Sequence, residues 1–300
     1  MGEFILRHKP ELRDPYMVVG FGGWPNAGEV GTATVTYLRD RLSADKFAEI
    51  TPEEFYDFSF VRPFMVVEDG LVRALRFADN EFYFWKNPTG EHDLILLVGF
   101  EPQLRWGRYL SFLLQVVQQW GVKRVYSVGG VYDRVPHTKD PPVSAVVNYA
   151  RLKQELAPLG ISWTNYQGPS SFHSTLLMAC RERRLEMASI WGHVPFYVQA
   201  VKNPKVCHAV LTRLAPLLGL SLDLSDLKKA GEHMEESLSR LLGQNEEMRR
   251  YVERFEAEYD AQQQAGPPPR SAPATNRIIR EIEEFLRKEQ RRQGDGSATE

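Results

Sequence analysis

Hydrophobic residues along the first 220 positions fall into short continuous runs separated by loop signals. Four runs predict strands buried on both faces, because they are continuous rather than alternating: residues 16–21, 94–100, 124–128 and 185–191. Between the second and third runs, apolar residues recur at helical spacing from Trp106 to Trp120, and Gly121 follows as a stop signal. This strand–helix–strand unit is typical of an α/β fold.

Further helical patterns alternate with these strands at residues 30–42, 148–156, 172–184 and 204–219. The alternation predicts a three-layer core domain over residues 1–222, with a mainly parallel sheet covered by helices on both sides.

One segment interrupts the alternation. Asp69-Gly70 separates two apolar runs, and a third run follows at residues 81–85. Because Asp-Gly is a strong type I′ turn signal, the segment predicts a hairpin or meander at a sheet edge or as an added small sheet.

The composition shifts to Glu, Arg, Gln and Met over residues 223–262, which predicts a long exposed helix. Its apolar positions step by alternate threes and fours, as in a coiled-coil seam, and Asn245 falls at an a position, where a polar residue fixes register at a cost in stability. The stripe packs on its own domain or on the last helix, or it pairs with another chain, and these alternatives stay open. Its candidate contact residues are Leu238, Leu241, Asn245, Met248, Val252 and Phe255.

The remaining C-terminal residues predict three short segments. Residues 263–275 include three consecutive prolines and indicate a linker. Residues 276–292 have the pattern of a short amphipathic helix, and residues 293–300 that of a disordered tail.

Charge and hydropathy exclude several classes of partner. The chain carries 37 basic and 39 acidic side chains, so it has no general attraction for nucleic acid or an anionic membrane. The longest apolar run extends only from Leu94 to Phe100, whereas a membrane span needs about 20 residues. The N-terminus has no apolar signal region, so we expect a cytoplasmic protein in which Cys180 and Cys207 are reduced and buried.

A glycine-rich turn, GFGGWPNAGE at residues 20–29, follows the first predicted strand. The spacing of Gly23 and Gly28 imitates a phosphate-binding loop, but that motif requires Lys and then Ser or Thr where this chain has Glu29 and Val30. A carboxylate at that place would repel phosphate. The turn is therefore interpreted as a structural one.

Polar residues follow the other strands too, and ligands of open α/β sheets bind beyond the carboxyl ends of strands. We expect one ligand crevice formed by Asn26, Glu29, Glu101, His137, Thr138, Ser170, Ser171 and His193. Each of these residues has an alternative role as a cap or turn former. The sequence shows no G-x-S-x-G elbow, H-E-x-x-H or C-x-x-C motif. No metal, cofactor or catalytic residue is therefore predicted, and a non-enzymatic protein is favoured over an enzyme.

Read together, several segments resemble the bacterial and archaeal branch of the proteasome assembly chaperone 2 family. They span roughly residues 16–220 and comprise GFGGWPNAGE at 20–29, EFYDF at 54–58 with Arg62-Pro63, GFEP at 99–102 with Arg105-Trp106, PHT at 136–138, YQGP at 166–169 and SIWGHVPFY at 189–197. The resemblance implies a phosphorylase/hydrolase-like α/β/α core, homotrimers or larger homo-oligomers, and no settled reaction.

Two departures from the family pattern affect these expectations. The usual Gly-Pro-Thr-Gly is Gly168-Pro169-Ser170-Ser171 here, which weakens the case for a backbone-cradled ligand. Some related chaperones dock on proteasome rings through a hydrophobic-Tyr-any-residue tail, whereas this sequence ends in Ser-Ala-Thr-Glu, so we do not expect that docking mode.

The leading hypothesis is an oligomeric assembly or protein-interaction factor with a possible protein client. The alternatives are a small-molecule enzyme or binding protein with a nucleoside-phosphorylase-like fold, an ATP-dependent carboxylate–amine ligase, as relatives are sometimes labelled, or a structural protein.

The first prediction concerns ATP. Because Glu29 and Val30 replace the phosphate-binding pair, the purified protein should hydrolyse ATP no faster than a buffer blank in a phosphate-release assay. Robust turnover that Glu29→Gln or Glu101→Gln abolishes would contradict the non-enzyme hypothesis.

Overall fold

The computed structural model describes residues 4–199, 202–244 and 246–265 and shows a mixed α/β fold. The chain divides into two compact units, Met1–Asn245 and Glu246–Glu300. The described strands are β1 (Phe4–Leu6), β2 (Tyr16–Gly22), β3 (Asp45–Ile50), β4 (Phe64–Glu68), β5 (Leu71–Arg76), β6 (Asn80–Trp85), β7 (Leu94–Phe100), β8 (Arg124–Asp133), β9 (Val143–Val147), β10 (Ser162–Trp163) and β11 (Glu186–Pro195). The described helices are α1 (Val30–Leu42), α2 (Trp106–Gln119), α3 (Ala150–Leu156), α4 (Phe172–Glu182), α5 (Pro204–Leu217), α6 (Ser225–Gly243) and α7 (Glu246–Ala265).

The main sheet has the order β1-β3-β6-β7-β2-β8-β11-β9-β10. Its four central strands, β7, β2, β8 and β11, are parallel to one another. Toward one edge, β6, β3 and β1 pair antiparallel in turn, and toward the other β9 runs antiparallel to β11. The sheet is therefore mixed, with a parallel centre.

Helices cover both faces of this sheet and form two apolar cores. One core joins alternate strand residues to α1, α3 and α5, and the other joins the opposite set to α2 and α4. Because successive side chains of a strand point to opposite faces, strands buried on both sides need continuous apolar sequence, as in LILLVGF of β7.

Helix α1 lies directly against the backbones of two central strands. A Cβ atom on Gly20 of β2 would overlap the carbonyl oxygen of Gly31 in α1, and a Cβ on Gly31 would lie 2.6 Å from the carbonyl oxygen of Val128 in β8. Only glycine permits this approach. The glycines at both ends of the segment between β2 and α1 therefore serve close packing.

The main elements of the sequence prediction are confirmed. Helix α1 and strand β7 have the predicted bounds, and β8 and β11 extend about four to five residues beyond theirs, to Asp133 and Pro195. Strands β1, β3, β9 and β10 were not predicted. They are short or mix polar with apolar residues, as in DKFAEI of β3, where a register shift between Lys46 and Ala48 also breaks the alternation. Cys180 and Cys207 are free and buried, as expected.

The predicted meander separates into two parts. Strands β4 and β5 form a two-stranded sheet of their own, whereas β6 joins the main sheet between β3 and β7. Asp69 and Gly70 both have positive φ, 51° and 74°, as a type I′ turn requires. Burial separates the strands, since Phe82 of β6 is fully buried and β4 and β5 are largely exposed.

Two helices lie where the sequence predicts one over residues 223–262. Helix α6 packs on α5, where Gly231 allows close approach to the backbone of Lys205, and the first unit extends through α6 rather than stopping at residue 222. Helix α7 belongs to the second unit and has Tyr251 stacked on Phe255 at 6.2 Å between ring centroids. Asn245 and the predicted linker, helix and tail beyond residue 265 lie outside the described residues.

Within the described part of the chain, no helix combines the length and apolar character needed to cross a membrane.

The close approach of α1 to β2 generates the second prediction. Gly20→Ala should lower the free energy of unfolding by about 2 kcal/mol or more, since the added methyl forces α1 away from the sheet. Urea denaturation followed by circular dichroism measures the effect.

Gly107→Ala in α2 is the matched control, because a Cβ at this position meets no atom within 4 Å. Helix propensity alone predicts a gain of about 0.5–1 kcal/mol there. Equal effects of the two substitutions would contradict the packing argument.

Candidate functional site

The turn after β2 is held by the side chain of Asn26. Its Nδ2 donates to Thr32 Oγ1 at 2.9 Å and its Oδ1 accepts from Thr32 N at 3.1 Å. The backbone of Asn26 also bridges to Gly130 of β8. Asn26 therefore joins the start of α1 to the sheet, while the neighbouring Glu29 is exposed at φ 55°.

Glu101 follows β7, and its side chain caps the N-terminus of α4. Its carboxylate accepts the backbone N–H of Phe172 at 2.7 Å. Burial raises the pKa of Glu101, and this hydrogen bond partly offsets the rise. Ser171 is buried at the N-cap of α4, and Ser170 before it is exposed.

His137 is a buried link between the loop after β8 and other elements of the first unit. Its Nδ1 and backbone N both lie within 2.8 Å of Tyr197 Oη, and its Nε2 lies 3.0 Å from Ser239 Oγ on α6. The ammonium of Lys205 on α5 donates to the His137 carbonyl oxygen and to Glu235 on α6. Both ring nitrogens of His137 are therefore engaged, and the half-buried Thr138 follows in the same loop.

A cavity of about 20 Å³ lies between this loop and helices α5 and α6. Its lining includes His137, Lys205, Met234 and Leu238. That volume accommodates roughly one water molecule, because a water needs about 10–15 Å³. The space around His137 is too small for a metabolite.

His193 lies near the end of β11 and has two polar partners on adjacent strands. Its Nδ1 is 2.7 Å from Asp133 Oδ2 on β8, and its Nε2 is 2.8 Å from Ser144 Oγ on β9. The Asp133 side chain is 47% exposed, and although partial desolvation acts to raise its pKa, the hydrogen bond and charge of His193 lower the pKa overall. Ser144 is 4% exposed.

His173 is buried in α4 near this group. Its ring lies 5.1 Å from the ring of Trp191 and 5.5 Å from that of Phe21, and neither ring nitrogen has a hydrogen-bond partner within the described chain. Burial lowers the pKa of His173 to about 3, so the imidazole stays neutral.

The hydrogen bonds of the eight predicted site residues divide them into separate groups, although Glu101 also donates its backbone N–H to Gly22 O at 2.9 Å, next to the turn that carries Asn26. Glu101 and Ser171 lie at the start of α4, which packs on one face of the sheet, whereas His137 is tied to α5 and α6 on the other. Asn26 and Glu29 lie in the turn leading into α1, and His193 joins Asp133 and Ser144. A loop beyond a strand can fold toward either face, and periodicity carries no information on which.

Sequence reasoning missed Asp133, Ser144 and His173. Asp133 and Ser144 lie far from His193 along the chain and belong to no short motif, and β9 was not predicted at all. No cluster of three or more metal-ligating side chains occurs among residues that the structure describes.

Five of the six candidate contact residues of the predicted long helix are described, and they lie in both units. In the first unit, Leu238 lines the cavity beside His137, and Leu241 is 63% exposed. Met248 and Val252 are half-buried and Phe255 is buried in α7.

The fold defines an α/β protein with a parallel sheet centre, a glycine-packed first helix, and polar groups rather than a nucleotide loop at the strand ends. Residues 20–242 match the model of the PAC2 family, and the chain belongs to that family.

Solved structures of similar proteins extend the match over most of the chain. A PAC2 family protein from Streptomyces avermitilis is 29% identical, with a TM-score of 0.70 over 76% of this chain and 96% of its own. A proteasome-assembly chaperone homologue from Mycobacterium tuberculosis is also 29% identical, with a TM-score of 0.71 over 79% of this chain and 99% of its own. An archaeal proteasome activator from Pyrococcus furiosus, 22% identical with a TM-score of 0.65 over 80% and 98%, shares the fold. A search of curated proteins found no match.

The third prediction uses the neutral, buried His173. An unfolded histidine titrates near pH 6.5, whereas the folded pKa is about 3. Between these two pKa values the unfolded state binds a proton that the folded state does not. The free energy of unfolding is therefore unaffected above about pH 6.5 and falls by about 1.4 kcal/mol per pH unit from there down to pH 3. The difference in free energy of unfolding between His173→Leu and the wild type should therefore shift by about 2 kcal/mol in favour of the variant when the pH is lowered from 7.5 to 5. Urea unfolding at both pH values measures this difference.

His233→Leu, at an exposed position of α6, is the control and should follow the wild-type pH dependence. Parallel pH curves for the wild type and His173→Leu would show that His173 is not buried as a neutral side chain.

Proposed function

We propose that the protein is a cytoplasmic assembly or protein-interaction factor that works as a homo-oligomer, a trimer or larger, with a protein client. Family membership supports a role like that of proteasome assembly chaperones, since the similar protein from Mycobacterium tuberculosis is a proteasome-assembly chaperone homologue. The free, buried cysteines are in keeping with a reducing compartment.

The observation that carries the proposal is the ribbon formed by β4 and β5 with its flanks, here called the apolar ribbon (residues 58–77). Its large apolar side chains are 39% to 80% exposed: Phe60, Phe64, Met65, Val67, Leu71, Val72, Leu75 and Phe77. A two-stranded sheet is at best marginally stable in water without a covering layer. A concentration of exposed apolar side chains of this kind marks an interaction site.

The occupant we assign to the apolar ribbon is a second copy of this chain. Its eight side chains are each at least 39% exposed, and a stable interface buries roughly 800 Å² per partner, so a partner of protein size is needed to cover them. An apolar ribbon that rests on the body of the next copy makes a head-to-tail contact, and such contacts close into rings when the rotation allows. A rotation of one third of a turn between neighbouring copies closes such contacts into a trimeric ring.

The same proposal gives the scaffold a phosphorylase/hydrolase-like three-layer arrangement, supported by helices on both faces of a sheet with a parallel centre. The heptad pattern shared by α6 and α7 is a second contact surface, for a client or for another copy, in the manner of a coiled coil. The 20 Å³ cavity beside His137 argues against a nucleoside-binding enzyme at that place.

The fourth prediction tests the apolar ribbon. Val72→Lys combined with Leu75→Lys should reduce the wild-type oligomer to single chains, because two buried, unpaired ammonium groups cost more than the interface gains. Size exclusion coupled to light scattering measures the mass.

Met178→Lys, at a 52% exposed apolar position of α4, should leave the mass unchanged. Deleting residues 246–300 should also leave it unchanged, because the ribbon lies in the first unit. An oligomer that survives the double lysine substitution but not the deletion would place self-association in the C-terminal segment instead.

A further inference from the structure

We propose that Ser144, His193 and Asp133 form a catalytic triad for acyl transfer, whose substrate is an ester or thioester of an apolar carboxylic acid. The proposal assigns a reaction to a group of side chains that the assembly role does not use.

The three side chains have the connectivity that a serine nucleophile requires. Ser144 Oγ lies 2.8 Å from His193 Nε2, and His193 Nδ1 lies 2.7 Å from Asp133 Oδ2. With a proton on Nδ1 donated to the carboxylate, Nε2 is left with a lone pair that accepts the Ser144 O–H. Such triads are recognised by geometry and role rather than by sequence order.

The triad spans three adjacent strands. Parallel pairing of β8 with β11 sets Val131 beside His193 and Asp133 beside Pro195, and antiparallel pairing of β11 with β9 sets Trp191 beside Ser144. Positions two residues apart share a face, so His193 reaches diagonally to one neighbour on each side. The group lies at the carboxyl ends of β8 and β11, where ligands of α/β sheets bind.

The surroundings of the triad indicate an apolar acyl group. Val131 and Val146 lie on the same face of the sheet as Ser144, and each is 38% exposed. Trp191, directly opposite Ser144 in the register, is half-buried. Apolar side chains next to a nucleophile favour burial of a hydrocarbon chain from the substrate.

Electrostatics at the carboxylate suits the assigned role. Desolvation acts to raise the pKa of Asp133, although its side chain is 47% exposed, but the interaction with His193 and the backbone N–H of Arg134 hold the pKa below its usual range. Asp133 is therefore ionised at neutral pH and can stabilise the imidazolium that forms during reaction. It acts as a positioning residue, because it contacts His193 and not the substrate.

The reaction balances without a cofactor. Ser144 Oγ forms a bond to the substrate carbonyl carbon while its proton moves to His193 Nε2. Collapse of the tetrahedral intermediate breaks the bond to the alcohol or thiol, which leaves with that proton. Water then attacks the acyl-serine and passes a proton to Nε2, and the acid departs as the proton returns to Ser144 Oγ.

The experiment uses the full-length protein and two probes. An alkyl fluorophosphonate, which reacts with activated serines, is followed by peptide mass spectrometry, and hydrolysis of p-nitrophenyl butyrate is followed by absorbance. We expect the phosphonate adduct on Ser144 of the wild type, and at least a tenfold loss of ester hydrolysis in Ser144→Ala. Ser162→Ala, an exposed serine on the adjacent strand β10, should retain wild-type labelling and hydrolysis.

Asp133→Asn separates positioning from a merely structural role. It should lower kcat by about 100-fold or more with little change in KM, because the altered tautomer affects the transition state and not substrate binding. The adduct position in the wild type decides the proposal even if a variant fails to fold. An adduct elsewhere, no adduct, or hydrolysis unchanged by Ser144→Ala would overturn it.

Discussion

The fold depends on the contact between α1 and the backbones of β2 and β8. Gly20, Gly31 and Gly130 have no side chains, and a Cβ at any of them would press against a backbone carbonyl oxygen of the facing segment. The backbone N–H of Gly130 donates to Pro25 O at 2.8 Å and fixes the turn that leads into α1. Because interiors are close-packed, moving α1 by the width of a methyl group would disturb both central strands.

That contact also limits which ligands can bind at the carboxyl ends of the strands. The turn after β2 is filled by backbone and by the Asn26–Thr32 hydrogen bonds, so it offers no cradle for phosphate. The polar loops on either side of this turn contact helices on opposite faces of the sheet. Glu101 caps α4, and His137 is hydrogen-bonded to α5 and α6. Residues that look equivalent in sequence therefore have separate structural roles.

The sequence predicted those elements whose signal is local. Continuous apolar runs located β2 and β7, helical spacing located α1 and α2, and Asp69-Gly70 located the hairpin. The short strand β9 was not predicted because VSAVV is a brief run behind two prolines, and its partners in β11 lie 41 to 49 residues further along the chain. Site grouping failed for a related reason, since the face to which a loop folds is set by tertiary packing. His193 was identified, but its partners Asp133 and Ser144 were not.

Strand β9 explains why a histidine can meet both an acid and a serine at this place. If the strand beside β11 were also parallel, it would be joined to the sheet by a crossover helix that covers one face. Here β9 returns antiparallel, and α3 after it packs on the α1 face, with Leu152 and Leu156 in that core. The α4 face of β9 therefore keeps Ser144 beside β11 with Val146 partly exposed. The reversal of strand direction therefore places Ser144, which is itself buried, within hydrogen-bond distance of His193.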